Sequence, residues 1–378
     1  NSGGDAGDSF AAATQLASTN ATYPGFLKDL DIGDYYKIAV AAGQTLSVNL
    51  TPASTLGLYL DLYDSLQNYV ISDYGNPGVM VKLAYTTNSE QTSYTYYIVL
   101  TIRAGDGTYS MGVSLVSQND ANSGGDAGDS FAAATQLASA NATYSGFLKD
   151  MDTNDYYTVN ITAGQTLSVS AQPANTLSTA VFFYNPARVQ VAYNQTAAGV
   201  LAMLSWTTNS AQTNYTYYIR LNQWSGYGTY SLAISIISQN DAGSKGDAGD
   251  DLSTATPVNA GTYSGSMKDE DTDDCYKILQ NVPAGQGLYI RVIPSETQPV
   301  EIRIYDLGKV LQASGSGLAG ATVNVGTRAA TTGSFYIRVK SLSSYGSYAM
   351  LISLEPSIDT PTHKPVAPDP SQNVTVSV

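Results

Sequence analysis

The chain has 378 residues, with 31 acidic against 17 basic side chains and a formal net charge of −14 at pH 7. This charge argues against nucleic acid as a partner, because binding to phosphates depends on Lys and Arg, and it favours a cationic ligand. No run of about 18 to 20 apolar residues occurs, so the sequence predicts no membrane span. A single cysteine allows no internal disulfide, and we expect Cys275 to be a buried thiol.

Three tandem repeats account for most of the chain. Residues 1–18 recur unchanged as residues 122–139, and a weaker third copy begins near Gly243. A period of 121 residues is typical of a self-sufficient domain rather than of a solenoid repeat. We therefore predict β-sandwich repeats at 1–119, 120–240 and 241–355, followed by a Pro-rich linker at 356–372 and a C-terminal strand at 373–378.

The first repeat opens with one short helical turn, for which Asp8 is the expected N-cap. The segments after it alternate apolar and polar residues with period two, as Leu46, Val48 and Leu50 do, and clusters of Gly, Asn, Asp and Pro separate them. The other copies have the same layout. Each repeat is therefore predicted to be an antiparallel β-sandwich of about seven to nine strands.

The C-terminal tail has no counterpart in the repeats. Five prolines fall between Pro356 and Pro370, which indicates an extended spacer, and the last six residues alternate with Val374, Val376 and Val378 on one side. A lone strand cannot satisfy its own backbone groups. It therefore adds to the sheet of a neighbouring copy, adds to the third repeat, or stays disordered. We favour addition to a neighbour, a known mode of assembly.

Repeated aspartates are the strongest chemical signal. The candidate metal ligands are Asp5, Asp8, Asp29, Asp31 and Asp34 in the first copy, Asp126, Asp129, Asp150, Asp152 and Asp155 in the second, and Asp247, Asp250, Asp269, Asp271 and Asp274 in the third. Carboxylates this close in Gly-bearing loops repel one another unless a cation lies among them, and Ca²⁺ accepts such oxygen ligands. The alternative is that these residues cap turns and solvate the surface.

Two placements of such an ion are open. One site lies inside each unit and ties the acidic loop to the strand that begins at Tyr35, Tyr156 or Cys275. The other lies at a junction between repeats and involves the pairs Asn119–Asp120 and Asn240–Asp241. The sequence favours the first placement, because the first copy has no preceding Asn-Asp pair.

Catalysis is not expected. The single histidine, His363, lies in the Pro-rich tail, so Ser-His-Asp and Cys-His arrangements lack a base and a His-ligated zinc site is excluded. Glycoside hydrolysis needs one tuned acid and base, whereas these aspartates recur in all three copies. We therefore predict that the protein is not an enzyme.

Each repeat resembles the bacterial pre-peptidase C-terminal domain. The resemblance is carried by an Asp-rich turn before Asp-Tyr-Tyr, then Ala-Gly-Gln-Thr-Leu-Ser-Val, Leu-x-Leu-Tyr-Asp, Tyr-Tyr-Ile-x-Leu and Gly-Thr-Tyr-Ser, across residues 4–116, 125–237 and 246–354. It implies a jelly-roll-like sandwich, often associated with calcium. It does not imply an activity. The fold expected is therefore all-β: three tandem jelly-roll-like antiparallel β-sandwiches and a Pro-rich tail that ends in a lone strand.

Export is the expected localisation, with a signal peptide already removed. Seven Asn-x-Ser/Thr sequons support it, at Asn20, Asn49, Asn141, Asn160, Asn194, Asn214 and Asn373. We predict an extracellular structural protein, a subunit of a surface filament or layer whose partners are other copies of itself. The alternative is a secreted carbohydrate-binding or accessory module of a hydrolase system, with cell-surface glycans as partners; the 29 tyrosines suggest it, although most fall at matched strand positions.

Overall fold

A computed structural model describes residues 5–17, 20–138, 141–211 and 213–355. Six sheets group into three repeated units of two sheets each, which confirms the prediction of an all-β chain of tandem β-sandwiches. In the described ranges, the helical elements are 3-10 turns at Phe10–Ala12, Asp120–Asn122 and Asp241–Gly243. None of these turns has the length and apolar character that a membrane crossing requires.

The first repeat contains nine strands in two sheets. The strands are β1 Thr14–Gln15, β2 Ala21–Leu27, β3 Gly33–Ala41, β4 Gln44–Pro52, β5 Leu56–Tyr63, β6 Tyr69–Gly75, β7 Val81–Thr86, β8 Ser93–Gly105 and β9 Gly107–Ser117. One sheet has the order β1-β3-β8-β5-β6 and the other the order β2-β9-β4-β7. Strands β1 and β3 pair in parallel, while β3 and β8 and the strands of the second sheet pair antiparallel.

The other two repeats have the same sheet orders. The second contains β10 Thr135–Gln136, β11 Ala142–Leu148, β12 Asn154–Thr162, β13 Gln165–Pro173, β14 Leu177–Tyr184, β15 Gln190–Gln195, β16 Ala202–Thr207, β17 Asn214–Gly226 and β18 Gly228–Ser238. The third contains β19 Thr256–Val258, β20 Gly261–Met267, β21 Asp273–Ile278, β22 Gly287–Pro294, β23 Val300–Asp306, β24 Leu311–Ser316, β25 Val323–Arg328, β26 Phe335–Ser341 and β27 Gly346–Glu355.

The core follows the period-two pattern of the sequence. Along β4, Leu46, Val48 and Leu50 are buried while Asn49 is exposed, because successive side chains of a strand point to opposite faces. Burial of one such Leu or Val side chain contributes about 1.5–3 kcal/mol. The alternation that predicted the strands is therefore also what holds the two sheets together.

The predicted helical turn is a short 3-10 turn, and its cap differs from the prediction. Ser9 is the N-cap, and its hydroxyl accepts a hydrogen bond from the amide of Ala12 at 3.3 Å. Asp8 instead lies beside Asp5 and Asp31.

Cys275 is buried, which confirms the expectation for its thiol. In the first repeat the Phe10 ring packs edge-on against the Tyr35, Tyr63 and Tyr97 rings with centroids 5.1–5.2 Å apart. The third repeat has Leu252 at the position of Phe10 and Cys275 at the position of Tyr35. A leucine and a small buried thiol thus replace two of the four rings, while Tyr305 and Tyr336 hold the other two positions.

Contact density divides the chain into two compact units. Of the described residues, the first unit comprises those within 5–159, 169–204 and 217–234, and the second those within 160–168, 205–216 and 235–355. In the first unit, residues 42–44 and 84–89 of repeat 1 meet residues 126–129 and 149–152 of repeat 2, and we call this contact the first junction. The second junction lies in the second unit, where residues 163–165 and 205–210 meet residues 247–250 and 268–271.

The predicted linker at 356–372 and strand at 373–378 lie outside the described residues. The same holds for Val374, Val376 and Val378 and for the sequon at Asn373.

Candidate metal centres at the junctions between repeats

Four carboxylates gather at the first junction. Asp120, Asp126, Asp152 and Asp155 each offer one oxygen, and these oxygens all lie within 4.8 Å of one another. Asp120 is 2% exposed, and Asp152 and Asp155 are fully buried. Ionised carboxylates this close in a site shielded from water repel strongly, so either protons or a cation must neutralise them.

A sharp reversal of the chain after β9 brings Asp120 back onto the loop that carries Asp126. Ala121 and Asn122 both have positive φ, at 49° and 61°. The Asp120 amide donates to the Gly125 carbonyl at 2.9 Å, and the Gly124 amide donates to Asn119 Oδ1 at 2.8 Å. Hydrogen bonds across the turn thus stabilise the unfavourable φ values of Ala121 and Asn122, and the turn places the Asp120 and Asp126 carboxylates together.

The other two carboxylates come from the turn between β11 and β12. Lys149 and Asp152 exchange backbone hydrogen bonds at 2.9 and 3.0 Å, which closes a tight turn with Asp150 at φ 56°. The Tyr156 amide donates to the Gly128 carbonyl at 2.8 Å and thereby ties the start of β12 to the acidic loop. Asp152 and Asp155 therefore face Asp126.

Several buried oxygens in this cluster have no donor. Gln118 Nε2 donates to Asp152 Oδ2 at 2.7 Å. Among the described residues, however, no hydrogen-bond partner is found for Gln118 Oε1, Asp152 Oδ1, Asp155 Oδ1 or either carboxylate oxygen of Asp126. A buried acceptor without a partner costs about 1–3 kcal/mol. A set of oxygen ligands with unused lone pairs fits a hard cation, and its loop origin suits Ca²⁺.

Burial raises the pKa of each carboxyl group in the cluster. For Asp120 burial raises the pKa to about 7. For Asp126 and Asp152 burial is the largest cause of the raised pKa, and repulsion by neighbouring carboxylates raises the pKa of each further. Without a cation, the cluster therefore holds protons at pH values where exposed aspartates have lost theirs. A cation must displace these protons when it binds.

A tyrosine pair orients the deepest carboxylate. The Tyr230 hydroxyl donates to Asp155 Oδ2 at 2.5 Å and is also hydrogen-bonded to the Tyr157 hydroxyl. The same arrangement recurs in the other repeats, where Tyr109 donates to Asp34 and Tyr348 to Asp274. One carboxylate oxygen is thus fixed by the core, and the other remains available to the cluster.

The second junction repeats this chemistry. Asp241, Asp247 and Asp274 form one group of oxygens within 4.8 Å, and Asp247, Asp250 and Asp271 form another. Gln239 Nε2 donates to Asp271 Oδ2 at 2.6 Å, as Gln118 does to Asp152. Oxygens of Asp241, Asp247, Asp271, Asp274 and Gln239 again lack a hydrogen-bond partner in the described ranges.

The first repeat has a smaller and more open group. Asp5, Asp8 and Asp31 lie within 4.8 Å, with Asp5 and Asp8 exposed. Asp34 is buried, and burial raises its pKa to about 6. Among the described residues no counterpart of Asp120 lies beside them.

Four of the predicted ligands accept hydrogen bonds across the junctions, and one of them, Asp250, also belongs to a cluster. Asp129 Oδ2 accepts from the amide and the hydroxyl of Ser89, both at 2.6 Å, and Asp250 accepts likewise from Ser210. Asp150 Oδ2 accepts from the Thr86 amide at 2.8 Å, and Asp269 accepts from Thr207 at the same distance. Asp29, their counterpart in repeat 1, is exposed. The hydrogen bonds of Asp129, Asp150, Asp250 and Asp269 therefore join successive repeats directly.

Two residues of the clusters, Gln118 and Gln239, were not predicted from the sequence at all. Asp120 and Asp241 were considered only for the less favoured placement at a junction. The signal was present as the sequence Gln-Asn-Asp, which occurs at 118–120 and again at 239–241. The structure places Asp120 with Asp152 and Asp155, so the two placements considered for the ion coincide in one group.

Five of the sequon asparagines are exposed: Asn20, Asn49, Asn141, Asn160 and Asn214. Asn194 is half-buried, and its Nδ2 donates to the Met203 carbonyl at 3.1 Å. A glycan on Asn194 would have to replace that hydrogen bond. Occupancy of all the sequons remains a prediction.

No family model and no curated protein matches the chain. Among solved structures, the chain is similar to the pre-peptidase C-terminal domain of collagenase from Bacillus anthracis, at 22% identity over 27% of this chain and 93% of that one, with a TM-score of 0.23. It is also similar to the PBSX exported protein XepA, at 12% identity over 57% and 82% with a TM-score of 0.16. A third similarity is to the CBM22-1–CBM22-2 tandem domain of Paenibacillus barcinonensis Xyn10C, at 8% identity over 58% and 88% with a TM-score of 0.19.

Proposed function

We propose that this protein is a non-catalytic, exported structural protein whose successive β-sandwiches are locked together by Ca²⁺ at the two junctions. The observation that carries the proposal is the group of buried carboxylate and amide oxygens without donors at each junction. Each group joins a turn that follows one repeat to loops of the next. A cation there neutralises the cluster and fixes the junction at the same time.

Calcium binding is tested by melting the metal-free protein with and without added Ca²⁺. A ligand that binds only the folded state stabilises it by about 2.7 kcal/mol at one hundred times its Kd. We expect the melting temperature to rise with Ca²⁺ and to fall again with a chelator, while Mg²⁺ has a smaller effect because it tolerates irregular oxygen cages poorly. Unchanged melting curves in all three conditions would remove the metal from the proposal.

The assembly route proposed is addition of the C-terminal strand to a neighbouring copy. Strands β7, β16 and β25 each end a four-stranded sheet, so each offers an edge to which a strand can add. Burial of Val374, Val376 and Val378 would contribute roughly 5–8 kcal/mol before ordering costs. Negative-stain microscopy of the full chain beside a chain that ends at Glu355 tests this route. Filaments or sheets from both chains, or from neither, would contradict it.

A groove in the third repeat favours glycan binding as a second candidate function. The groove has a volume of about 710 Å³ and lies among strands β22, β24, β25 and β27, with Tyr289, Arg291, Asn324 and Glu355 in its lining. Tyr289 is 38% exposed, and its ring is an apolar group beside polar groups, which is the chemistry that sugars require. Calorimetric titration with soluble polysaccharide fragments tests this function, and Tyr289→Ala should abolish any heat that is observed.

A further inference from the structure

The outward face of the five-stranded sheet of repeat 2 carries two arginines among aromatic rings. We call it the aromatic face and define it by the side chains of Tyr156, Phe182, Arg188, Tyr193, Tyr218 and Arg220. We propose that this face binds an acidic polysaccharide, with the arginines bound to carboxylate groups of the sugars and the rings packed against the sugar rings. The inference is independent of calcium at the junctions and of the groove in the third repeat.

Strand alternation separates the aromatic face from the core. Tyr217 and Ile219 are buried between the sheets, whereas their neighbours Tyr218 and Arg220 are half-buried on the opposite face. Tyr193, on the edge strand β15, is 54% exposed. Part of each of these last three side chains is therefore open to a ligand.

Arg220 is stacked between two aromatic rings. The strand register places it beside Phe182, which in turn lies beside Tyr193. Its guanidinium carbon is 5.1 Å from the centroid of the Phe182 ring and 5.6 Å from that of the Tyr156 ring. The Phe182 and Tyr193 rings stack with centroids 5.4 Å apart. This row crosses four neighbouring strands, about 14 Å in all, which suits an extended polymer better than a single small ion.

Arg188 adds a second guanidinium group to the face. It lies in the turn between β14 and β15, with its guanidinium carbon 5.6 Å from the centroid of the Phe131 ring and 5.8 Å from that of the Tyr218 ring. Phe131 itself packs edge-on against Tyr156, Tyr184 and Tyr218, with centroids 4.9–5.2 Å apart. A guanidinium group that contacts rings through its plane keeps its N–H donors at the rim, where they can bind a carboxylate.

Neither arginine has a carboxylate partner. Within the described ranges, the ion pairs include neither Arg188 nor Arg220. Arg220 Nε donates instead to the neutral amide oxygen of Asn154 at 2.8 Å. The strands of this sheet contain a single carboxylate, Asp155, which is fully buried on the core side. Asp129, in the acidic loop before the sheet, accepts hydrogen bonds across the first junction.

The other two repeats treat the position of Arg220 differently. In repeat 1 the position holds Val99, and the residue opposite it on β5 is Asp61. In repeat 3 it holds Arg338, whose Nε is paired with Asp273 Oδ1 at 2.7 Å. An arginine at this position is thus neutralised in repeat 3, whereas in repeat 2 its positive charge is left for a ligand.

An acidic polysaccharide combines the two kinds of group that the aromatic face lacks. Arginine binds carboxylates through paired hydrogen bonds, and aromatic rings offer apolar surface to the C–H groups of a sugar. A neutral glycan would leave both arginines without a partner. Nucleic acid is disfavoured because two basic residues neutralise too few of its closely spaced phosphates.

Calorimetric titration of the intact chain tests the binding. The ligands are short oligomers of galacturonate, mannuronate and hyaluronan, at a constant low Ca²⁺ concentration, with methyl-esterified galacturonate oligomers as the uncharged counterpart. We expect at least one acidic oligomer to bind at low ionic strength, the affinity to fall as salt is added, and the esterified oligomer not to bind.

Arginine variants locate the site. Arg188→Gln and Arg220→Gln should each weaken binding at least about tenfold, and Arg220→Lys should weaken it less than Arg220→Gln, because lysine keeps the charge but not the paired donors. Lys309→Gln is the matched control, since Lys309 holds the turn position of Arg188 in repeat 3, with φ 61° in both. It should bind like the original chain, as should Tyr289→Ala. Melting curves verify that each variant is folded.

The inference is overturned if none of the three acidic oligomers binds at low ionic strength, or if both glutamine variants bind like the original chain. Equal binding of the esterified oligomer would contradict it as well, because the arginines would then have no role. Tighter binding of a short single-stranded DNA, lost in the same variants, would assign the face to nucleic acid instead. None of these outcomes bears on the calcium proposal, which the melting experiments test separately.

Discussion

Replacement of Asp152 by Asn tests whether this carboxylate binds calcium or has only a structural role. Asp152 is fully buried, and burial and neighbouring carboxylates raise its pKa. The isosteric amide cannot ionise. Without a cation, Asp152 must take up a proton on folding at neutral pH, and the amide removes that cost, so Asp152→Asn should leave the metal-free protein as stable or more stable. With Ca²⁺, the same change removes an anionic ligand, so the variant should lose calcium stabilisation.

The size of the effect follows from linkage. A site filled at one hundred times its Kd stabilises the folded state by about 2.7 kcal/mol, and a ligand loss that weakens binding a hundredfold leaves only about 0.4 kcal/mol of it. For a domain of 150–250 residues, 1 kcal/mol corresponds to about 2–4 °C in melting temperature. We therefore expect calcium to raise the first melting transition by about 5–9 °C less in the variant than in the original chain.

Differential scanning calorimetry in saturating Ca²⁺ and in excess chelator measures both effects: the stability of the metal-free variant and its loss of calcium stabilisation. Asp31→Asn is the matched control, because Asp31 holds the same position in repeat 1, where the group is open. Asp31→Asn should leave the calcium-dependent rise of the first melting transition unchanged. Equal destabilisation of Asp152→Asn in calcium and in chelator would refute the reasoning, since it would mean that Asp152 acts through its hydrogen bond to Gln118 alone.

Three further predictions follow from the same geometry. The metal-free protein should lose stability as pH rises from about 4 towards 7 and above. The reason is that the folded state, in which the pKa of Asp120 is raised to about 7, holds protons that the unfolded state has released. Urea midpoints across that range measure this pH dependence, and calcium should weaken it. Gly43→Ala should lower both stability and calcium affinity, because its Cβ would lie 2.4 Å from the Cβ of Asp126. Gly285→Ala is the control: its φ is similarly positive and no described atom lies within 4 Å of the added Cβ, so it should show only the backbone strain of about 1–2 kcal/mol. Tyr230→Phe should cost about 1–3 kcal/mol by urea denaturation, because Asp155 Oδ2 loses its donor; an unchanged midpoint would show that this carboxyl needs no fixed partner.

The strands and the core could be predicted because their signal is local. Alternation at Leu46, Val48 and Leu50 depends only on the period of an extended chain, and the structure buries these three side chains. The repeat period likewise required only comparison of the chain with itself. The replacement of two aromatic rings by Leu252 and Cys275 was only partly predictable, since the alignment gave the buried thiol but not the ring cluster to which these two positions belong.

The composition of the clusters could not be predicted in the same way. Asp120 reaches Asp126 through two residues with positive φ, neither of them glycine, and no local rule expects such a turn at Ala121. The role of Gln118 depends on a side-chain hydrogen bond to Asp152, 34 residues away. Local patterns indicated which aspartates were unusual, but the partners of each one depended on the fold of two repeats together.

The three copies of the Lys-Asp-x-Asp turn argue that burial of the first aspartate in the turn depends on the adjacent repeat. The variable residue is Leu30, Met151 or Glu270, while the aspartates on either side are present in every copy. Similar local sequence nevertheless gives an exposed carboxylate in the first copy and covered ones in the next two. The difference must come from what precedes each repeat, because the turn itself is the same. The covered state of Asp150 and Asp269 therefore depends on the repeat that precedes each of them, whose Thr86 or Thr207 amide supplies the hydrogen bond.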